Sequence, residues 1–226
     1  MKKLALFDLD KTIYNTHSFF QLVDYEIEKG RLKKEVGETV QALLQKYKTG
    51  EMNYSKTANK LLEVLALNLN GQTFSDLFND SYEFFLNNKN SFYPYFERTL
   101  PILKQSHDVF VVTTNANYVA EAIVKLFDLS GFISSEFEAI NGTFSGKVSM
   151  SLADGKGLVA YLLQKYGKPG SLAIGDSEND IGMLELVENP ICVSPNEELR
   201  KYALEKGWKI VSVESAEEEL LNLLNF

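Results

Sequence analysis

The stretch from Leu4 to Thr12 constrains this chain more than any other. It reads Leu-Ala-Leu-Phe-Asp-Leu-Asp-Lys-Thr, an apolar run that stops at two carboxylates one residue apart. The apolar run is too short for a helix and has no polar alternation, which is typical of a strand buried on both faces of a parallel sheet. Asp8 and Asp10 therefore lie at the carboxyl end of a strand, the edge at which open α/β sheets bind ligands.

Asp8, Asp10 and Thr12 form a pattern with a definite chemistry. Two acids at positions i and i+2 of a strand end can both reach one hard cation, and a threonine hydroxyl can donate to an anion held against it. A carboxylate beside a divalent metal stays ionised and can attack phosphorus while the metal neutralises the phosphoryl oxygens. For these three residues alone, an ordinary Asp-rich turn explains the pattern equally well. The choice between a catalytic site and an ordinary turn therefore depends on the rest of the chain.

Charge and composition exclude several classes of partner. The 226 residues carry a net charge of −8, whereas a nucleic-acid partner requires clustered Lys and Arg. No stretch approaches the roughly 20 apolar residues of a membrane span. Cys192 is the only cysteine, which excludes an intramolecular disulfide and favours a cytoplasmic protein with this residue buried. We therefore expect a small-molecule partner, no nucleic acid and no membrane, and leave the oligomeric state open.

Between Ser18 and about Asn90 the apolar residues adopt helical spacing. Four stripes are separated by loop residues, which predicts a bundle of four helices. An insert placed directly after the acids of the first strand would rise over the carboxyl end of the sheet as a lid. The predicted division is a core domain of residues 1–14 and 93–226 and a helical cap of residues 15–92.

The remainder of the chain alternates strands with helices. Val109 to Val112 repeats the first apolar run, Ser171 to Ile174 forms a further strand, and Asn141-Gly142 lies between apolar neighbours as a hairpin turn. Alternation of this kind implies right-handed crossovers in a mainly parallel sheet. The predicted fold class is α/β, with a Rossmann-like three-layer core and a four-helix-bundle cap.

Polar residues follow three of the predicted strands, and carboxylates at one edge of neighbouring parallel strands converge. Asp176 can complete a magnesium site with Asp8 and the backbone carbonyl of Asp10. Asp180, at the start of a helix, is either a capping residue or a partner of the metal or of Lys156. The polar residues involved are Asp8, Asp10, Thr12, Thr113, Asn115, Lys156, Asp176 and Asp180.

These residues resemble the four motifs of the haloacid dehalogenase superfamily of Mg²⁺-dependent phosphohydrolases. Asp8-Leu-Asp-Lys-Thr is similar to the first motif, the run closing at Thr113 to the second, Lys156 to the third, and Gly175-Asp176-Ser-Glu-Asn-Asp180 to the fourth. The order and strand context match over nearly the whole chain. The helical insert between the first and second motifs resembles the cap of the phosphoserine phosphatase-like branch.

The resemblance implies a role for each matched position. Asp8 would be the nucleophile that becomes an aspartyl phosphate, and Asp10 the general acid and base. Thr113 would bind a phosphoryl oxygen, and Lys156 would hold the phosphate and offset the charge of Asp8. Other implied phosphate contacts are Thr12, Asn179 and the backbone of Thr114 and Asn115. Magnesium would be bound by Asp8, Asp10, Asp176 and Asp180.

Two departures from that branch bear on the substrate. His17 stands where the phosphoserine enzymes have a glutamate, and Leu61 stands at or near an arginine that binds the serine carboxylate. We therefore predict weak or no activity on phosphoserine. His17 either contacts the substrate or is a surface or capping histidine. His107, in a Ser-His-Asp turn, is expected to be solvated.

The sequence thus predicts a Mg²⁺-dependent phosphatase that hydrolyses a small phosphomonoester through an aspartyl phosphate on Asp8. One alternative is a phosphotransferase of the same fold, which passes the phosphoryl group to an acceptor other than water. The other is a non-catalytic module that binds a phosphorylated ligand. A module of that kind has no need of both a nucleophile and a separate acid.

Overall fold

The structure is a computed structural model that describes residues 2–224. Within these residues the strands are β1 (Lys3–Asp8), β2 (His107–Ala116), β3 (Gly131–Ile140), β4 (Thr143–Met150), β5 (Leu172–Gly175), β6 (Asn189–Val193) and β7 (Lys209–Val211). The helices are α1 (Ser18–Glu28), α2 (Lys34–Lys48), α3 (Tyr54–Asn68), α4 (Phe74–Asn87), α5 (Pro94–Ser106), α6 (Asn117–Phe127), α7 (Ala160–Tyr166), α8 (Ile181–Leu184), α9 (Glu197–Lys206) and α10 (Ala216–Leu223).

The strands form one sheet in the order β4-β3-β2-β1-β5-β6-β7. Every neighbouring pair is parallel except β3 and β4, which are antiparallel. In the centre, Ala5 of β1 is in register with Val109 of β2 and Leu172 of β5. Because β1 is flanked on both sides, its carboxyl end meets those of β2 and β5 at one edge.

Helices cover both faces of the sheet. Successive residues of a strand point to opposite faces, and β1 accordingly divides its side chains between two apolar clusters. Ala5 and Phe7 pack in one cluster with residues of α5, α6 and α10, and Leu4 and Leu6 pack in the other with residues of α7, α8 and α9. The α/β fold class and its mainly parallel sheet are confirmed.

The four predicted helices of the insert are α1 to α4, which lie in the chain between β1 and α5. Asn53 and Thr73 cap α3 and α4, since their side chains accept the backbone N–H groups of Lys56 and Asp76 at 2.9 and 3.2 Å. Among the aromatic side chains of this insert, Phe85 is fully buried.

The β3–β4 hairpin binds the insert to the sheet. Its turn places Asn141 and Gly142 at φ values of +51° and +78°, the conformation that favours Asn-Gly at a tight hairpin turn. Backbone bonds then join β4 to the loop between α3 and α4: Gly71 donates to Phe144, and Phe144 donates to Gln72, both at 2.9 Å. The hairpin predicted from Asn141-Gly142 is therefore present, and it also contacts the insert.

Glu26 of α1 is a buried acid inside the insert. It is 1% exposed, and neither carboxylate oxygen has a hydrogen-bond partner within residues 2–224. Burial first, and the nearby Asp80 second, raise the pKa of Glu26 to about 8, although Arg31 and Lys29 oppose the shift. Asp80 itself binds Arg31 at 2.6 Å, so the guanidinium is engaged by another carboxylate. Glu26 is thus neutral in the folded protein near pH 7.

One local expectation was wrong. His107 is 3% exposed rather than solvated, because β2 begins two residues before its apolar run and takes this side chain into the sheet. Its ring lies 2.8 Å from the Ser106 hydroxyl and 3.1 Å from the carbonyl of Gly170.

Candidate active site

Three carboxylates meet at the carboxyl edge of the central strands. Asp8 ends β1, Asp176 directly follows β5, and Asp180 lies one turn further on. Each offers an oxygen atom within 4.8 Å of the other two. The convergence expected from the topology is therefore present for these three acids.

Lys156 lies among these acids although it is distant in sequence. Its ammonium group is 2% exposed, forms an ion pair with Asp8 and lies 2.8 Å from Asp180 Oδ1. Burial alone would lower the pKa of Lys156, but the two carboxylates raise it above its ordinary value. The side chain is therefore a fixed positive charge beside Asp8.

Gly175 allows Asp180 to approach the end of β5. A Cβ atom at Gly175 would lie 2.5 Å from Asp180 Cγ, closer than any side chain tolerates. In the space that glycine leaves, Asp180 Oδ2 accepts the backbone N–H groups of Asp176 and Ser177 at 2.9 and 3.0 Å. Asp180 is thus both a capping residue and a partner of Lys156, so the two interpretations of this residue hold together.

The acids fit a divalent cation. Burial raises the pKa of Asp8 to about 7, although Lys156 lowers it. Burial, followed by the charges of Asp8 and Asp180, raises the pKa of Asp176 to about 9. Among the described residues, Asp8 Oδ2 is buried and has no hydrogen-bond partner. A hard cation such as Mg²⁺ prefers oxygen ligands and would relieve the repulsion between these acids.

The carboxylate of Asp10 binds different partners. Its Oδ1 accepts the backbone N–H of Ser18 at 3.0 Å and the Ser18 hydroxyl at 2.6 Å. Its Oδ2 accepts Asn115 Nδ2 at 3.3 Å. Burial raises the pKa of Asp10, and the bonds from Ser18 oppose that shift. Asp8 and Asp10, two residues apart, therefore have distinct surroundings.

Thr113 and Asn115 are coupled at the end of β2. The Thr113 hydroxyl accepts the backbone N–H of Asn115 at 3.1 Å and its side-chain Nδ2 at 3.2 Å, which leaves the hydroxyl proton of Thr113 free to donate. The resemblance assigned the Asn115 backbone to the phosphate. Here that N–H is bound by Thr113, and it is the Asn115 side chain that reaches Asp10.

Thr114 joins the fourth motif to the insert. Its hydroxyl accepts Asn179 Nδ2 at 3.1 Å and lies 3.5 Å from the hydroxyl of Tyr54, at the start of α3. Burial raises the pKa of Tyr54 to about 12, and its charged neighbours include Lys156 and Asp180. Tyr54 therefore lies at the carboxyl edge of the sheet, beside Thr114.

The other predicted residues occupy three different settings. Thr12 is fully buried, and its hydroxyl has no hydrogen-bond partner among the described residues. His17 is exposed and immediately precedes α1, with its ring edge-on to Phe20. Partial desolvation of the ring by neighbouring residues lowers the pKa of His17, against the opposing charge of Asp10. Leu61 is buried in the apolar core of the insert.

Sequence reasoning missed three contacts between the insert and this edge. Ser18 binds Asp10, Tyr54 approaches Thr114, and Asp154 accepts the hydroxyl of Ser55. A serine just before an apolar helical stripe is a recognisable helix start, which was available as a signal for Ser18. Tyr54 and Ser55 carry no local signal, because only the packing of α3 on the core brings them here.

Comparison with known proteins identifies the family. The family described as haloacid dehalogenase-like hydrolase matches residues 5–185. The chain belongs to this family.

Relatives and solved structures agree with that assignment. A histidinol-phosphatase of Neisseria meningitidis serogroup C (strain 8013) is 29% identical over 94% of this chain and 99% of its own length. The phosphoserine phosphatase SerB1 of Mycobacterium tuberculosis is 28% identical, over 50% of this chain and 39% of its own. A Bordetella pertussis Tohama I protein of unknown function has the same fold, with a TM-score of 0.77 and 24% identity. The match covers 94% of this chain and 99% of that protein. A solved phosphoserine phosphatase with a phospho-aspartyl intermediate analogue has the same fold. Its TM-score is 0.66 at 19% identity, and the match covers 98% of each chain.

The predicted family and the predicted enzyme class, a hydrolase of the phosphatase type, are confirmed by the family match and the named relatives. Among the described residues, no helix is both long and apolar enough to cross a membrane.

Proposed function

We propose that the protein is a Mg²⁺-dependent phosphatase that hydrolyses a small phosphomonoester through an aspartyl phosphate on Asp8. The observation that carries the proposal is the buried cluster of Asp8, Asp176 and Asp180 with Lys156 inside it. A purely structural ion pair would match one lysine to one acid, whereas this cluster holds an excess of carboxylates. Mg²⁺ held by these acids would neutralise the charge of a phosphoryl group.

In the first step, Asp8 Oδ2 attacks phosphorus. This oxygen is buried and unpartnered, whereas Oδ1 is bound by Lys156, so Oδ2 is the atom available as nucleophile. The new bond joins Asp8 to phosphorus, and the bond from phosphorus to the leaving oxygen breaks. Asp10 gives its proton to that oxygen, while the Thr113 hydroxyl and Lys156 stabilise the charge on the phosphoryl oxygens.

In the second step, the now ionised Asp10 takes a proton from water. The resulting hydroxide attacks phosphorus, and the bond between phosphorus and Asp8 breaks. Inorganic phosphate leaves, and both carboxyl groups return to their starting protonation states. The two acids perform unlike tasks, which fits their different hydrogen-bond partners.

The helical insert would act as the lid of this site. We propose residues 15–92 as the cap and residues 1–14 with 93–226 as the core. Tyr54 and Ser18 come from the insert and reach the catalytic edge, which supports this division. A lid of this kind excludes water while the phosphoryl group is transferred.

The substrate we propose lacks a carboxylate. Leu61, which stands at or near the arginine of the phosphoserine enzymes, is an apolar residue buried in the insert, and the pKa of His17 is lowered from its ordinary value. Neither side chain supplies a positive charge for a substrate carboxylate. The relative named histidinol-phosphatase gives histidinol phosphate as the first compound to test.

The experiment compares wild type with Asp8→Asn on p-nitrophenyl phosphate, histidinol phosphate and phosphoserine, with Mg²⁺ and with a chelator. We expect turnover that both the substitution and the chelator abolish, and a poor rate on phosphoserine. A folded, Mg²⁺-loaded wild type that is inert on a broad panel of phosphate esters would overturn the proposal and favour a binding module. Transfer to an added alcohol in preference to water would identify a phosphotransferase.

A further inference from the structure

Asp10 is held by the first residue of the insert. Ser18 begins α1, and both its backbone N–H and its hydroxyl donate to Asp10 Oδ1. The first N–H groups of a helix have no partner within the helix. His17, which precedes α1, provides no side-chain cap. The carboxylate of Asp10 therefore supplies the missing acceptor at the start of α1.

The two oxygens of Asp10 are held unequally. Oδ1 accepts two bonds, of 2.6 and 3.0 Å, from the fully buried Ser18. Oδ2 accepts one longer contact of 3.3 Å, from Asn115 Nδ2. That amide is shared, because it also lies 3.1 Å from the Ser18 hydroxyl and 3.2 Å from the Thr113 hydroxyl. Oδ2 is thus the oxygen that can exchange its partner for a substrate or a water molecule.

We propose that Ser18 is a positioning residue that fixes Oδ1 of Asp10 and so makes Oδ2 the oxygen that gives the proton to the leaving group and takes it from water. This rests on the proposed function, since it assigns the proton transfer to Asp10. Because Ser18 is part of α1, the alignment of Asp10 depends on the first turn of the insert. The insert then contributes to the chemical step itself, besides covering the site.

The test is the dependence of the rate on the leaving group. p-Nitrophenolate departs without protonation, whereas an alkoxide requires the proton from Asp10. In Ser18→Ala we expect kcat/KM on an alkyl phosphate, which reports only the steps up to release of the leaving group, to fall roughly tenfold to a hundredfold, a part of what general acid catalysis contributes. On p-nitrophenyl phosphate kcat/KM should fall less than about threefold, and the calorimetric affinity for Mg²⁺ should not change. Ser18→Thr, which keeps the hydroxyl, should restore most of the alkyl phosphate rate.

Ser81→Ala is the matched control. Ser81 is another fully buried serine of the insert, and its hydroxyl has no hydrogen-bond partner in the part of the chain that the structure describes. Its replacement should leave the ratio of the two rates unchanged. Equal losses on both substrates in Ser18→Ala, or the same ratio in Ser81→Ala, would overturn the positioning role.

Failure of the proposed function would look different. An inert wild type would refute the proposed function. An Asp10→Asn variant that loses no more activity on the alkyl phosphate than on p-nitrophenyl phosphate would show that Asp10 is not the general acid. If Asp10→Asn shows the expected selectivity and Ser18→Ala does not, only the inference about Ser18 fails. Circular dichroism of each variant verifies that the insert is folded.

Discussion

Replacing Glu26 with glutamine should flatten the pH dependence of stability. The pKa of Glu26 is raised from its ordinary 4.5 to about 8, with burial as the main cause and Asp80 as the second. Between these two values the folded protein binds more protons than the unfolded chain, so the free energy of unfolding falls as pH rises. One pKa unit corresponds to about 1.4 kcal/mol, so wild type should lose roughly 3 kcal/mol from this group between about pH 5 and about pH 8.

The measurement is urea unfolding followed by circular dichroism at several pH values. We expect the difference in free energy of unfolding, Glu26→Gln minus wild type, to grow by roughly 3 kcal/mol over that range. Glu38→Gln is the control, because Glu38 is an exposed acid of the same insert. If wild type and Glu26→Gln show parallel pH profiles, Glu26 is not a neutral buried acid, and the reasoning from its burial and its neighbours Asp80, Arg31 and Lys29 is refuted.

Three further predictions concern the catalytic edge. Gly175→Ala should reduce the hydrolysis rate by at least about a hundredfold, because the new Cβ displaces Asp180 and a displacement near 1 Å has that cost. A small loss in rate assays on the folded variant would contradict this. Mg²⁺ at about 100 times its dissociation constant should stabilise wild type by about 2.7 kcal/mol, and Asp176→Asn should abolish this effect in thermal unfolding. An equal shift of the unfolding temperature in both proteins would exclude Asp176 as a ligand. Tyr54→Phe should change KM and kcat less than about threefold, because the 3.5 Å contact of its hydroxyl with Thr114 is at the limit of a hydrogen bond. A larger change in steady-state kinetics would show that the Tyr54 hydroxyl binds the substrate.

The elements that could be predicted from the sequence are those whose signals are local. The apolar run before Asp8, the helical stripes of the insert and the Asn141-Gly142 turn each depend on residues close together in the chain. The convergence of Asp8 and Asp176 was also accessible, because parallel strands bring their carboxyl ends to one edge.

What the sequence did not reveal depends on contacts between distant segments. The bond from Ser18 to Asp10 requires the direction in which α1 leaves the sheet, and the approach of Tyr54 to Thr114 requires α3 to lie against the core. His107 was misjudged for a related reason, since a polar residue just before an apolar run gives no sign that the strand has already begun. The sequence indicates which residues have side chains suited to catalysis or metal binding, and packing determines which of them come into contact.

The bonds between the β3–β4 hairpin and the insert have a consequence for the order of folding. Phe144 supplies both a donor and an acceptor to the loop after α3, yet it follows that loop by more than 70 residues. Contacts of such long separation form late, since the entropy of closing the loop is lost before the contact is gained. On the ribosome, α1 to α4 emerge before the strand that completes their attachment. The insert therefore reaches its final anchorage only after β4, which lies more than 50 residues beyond the end of the insert, has been synthesised.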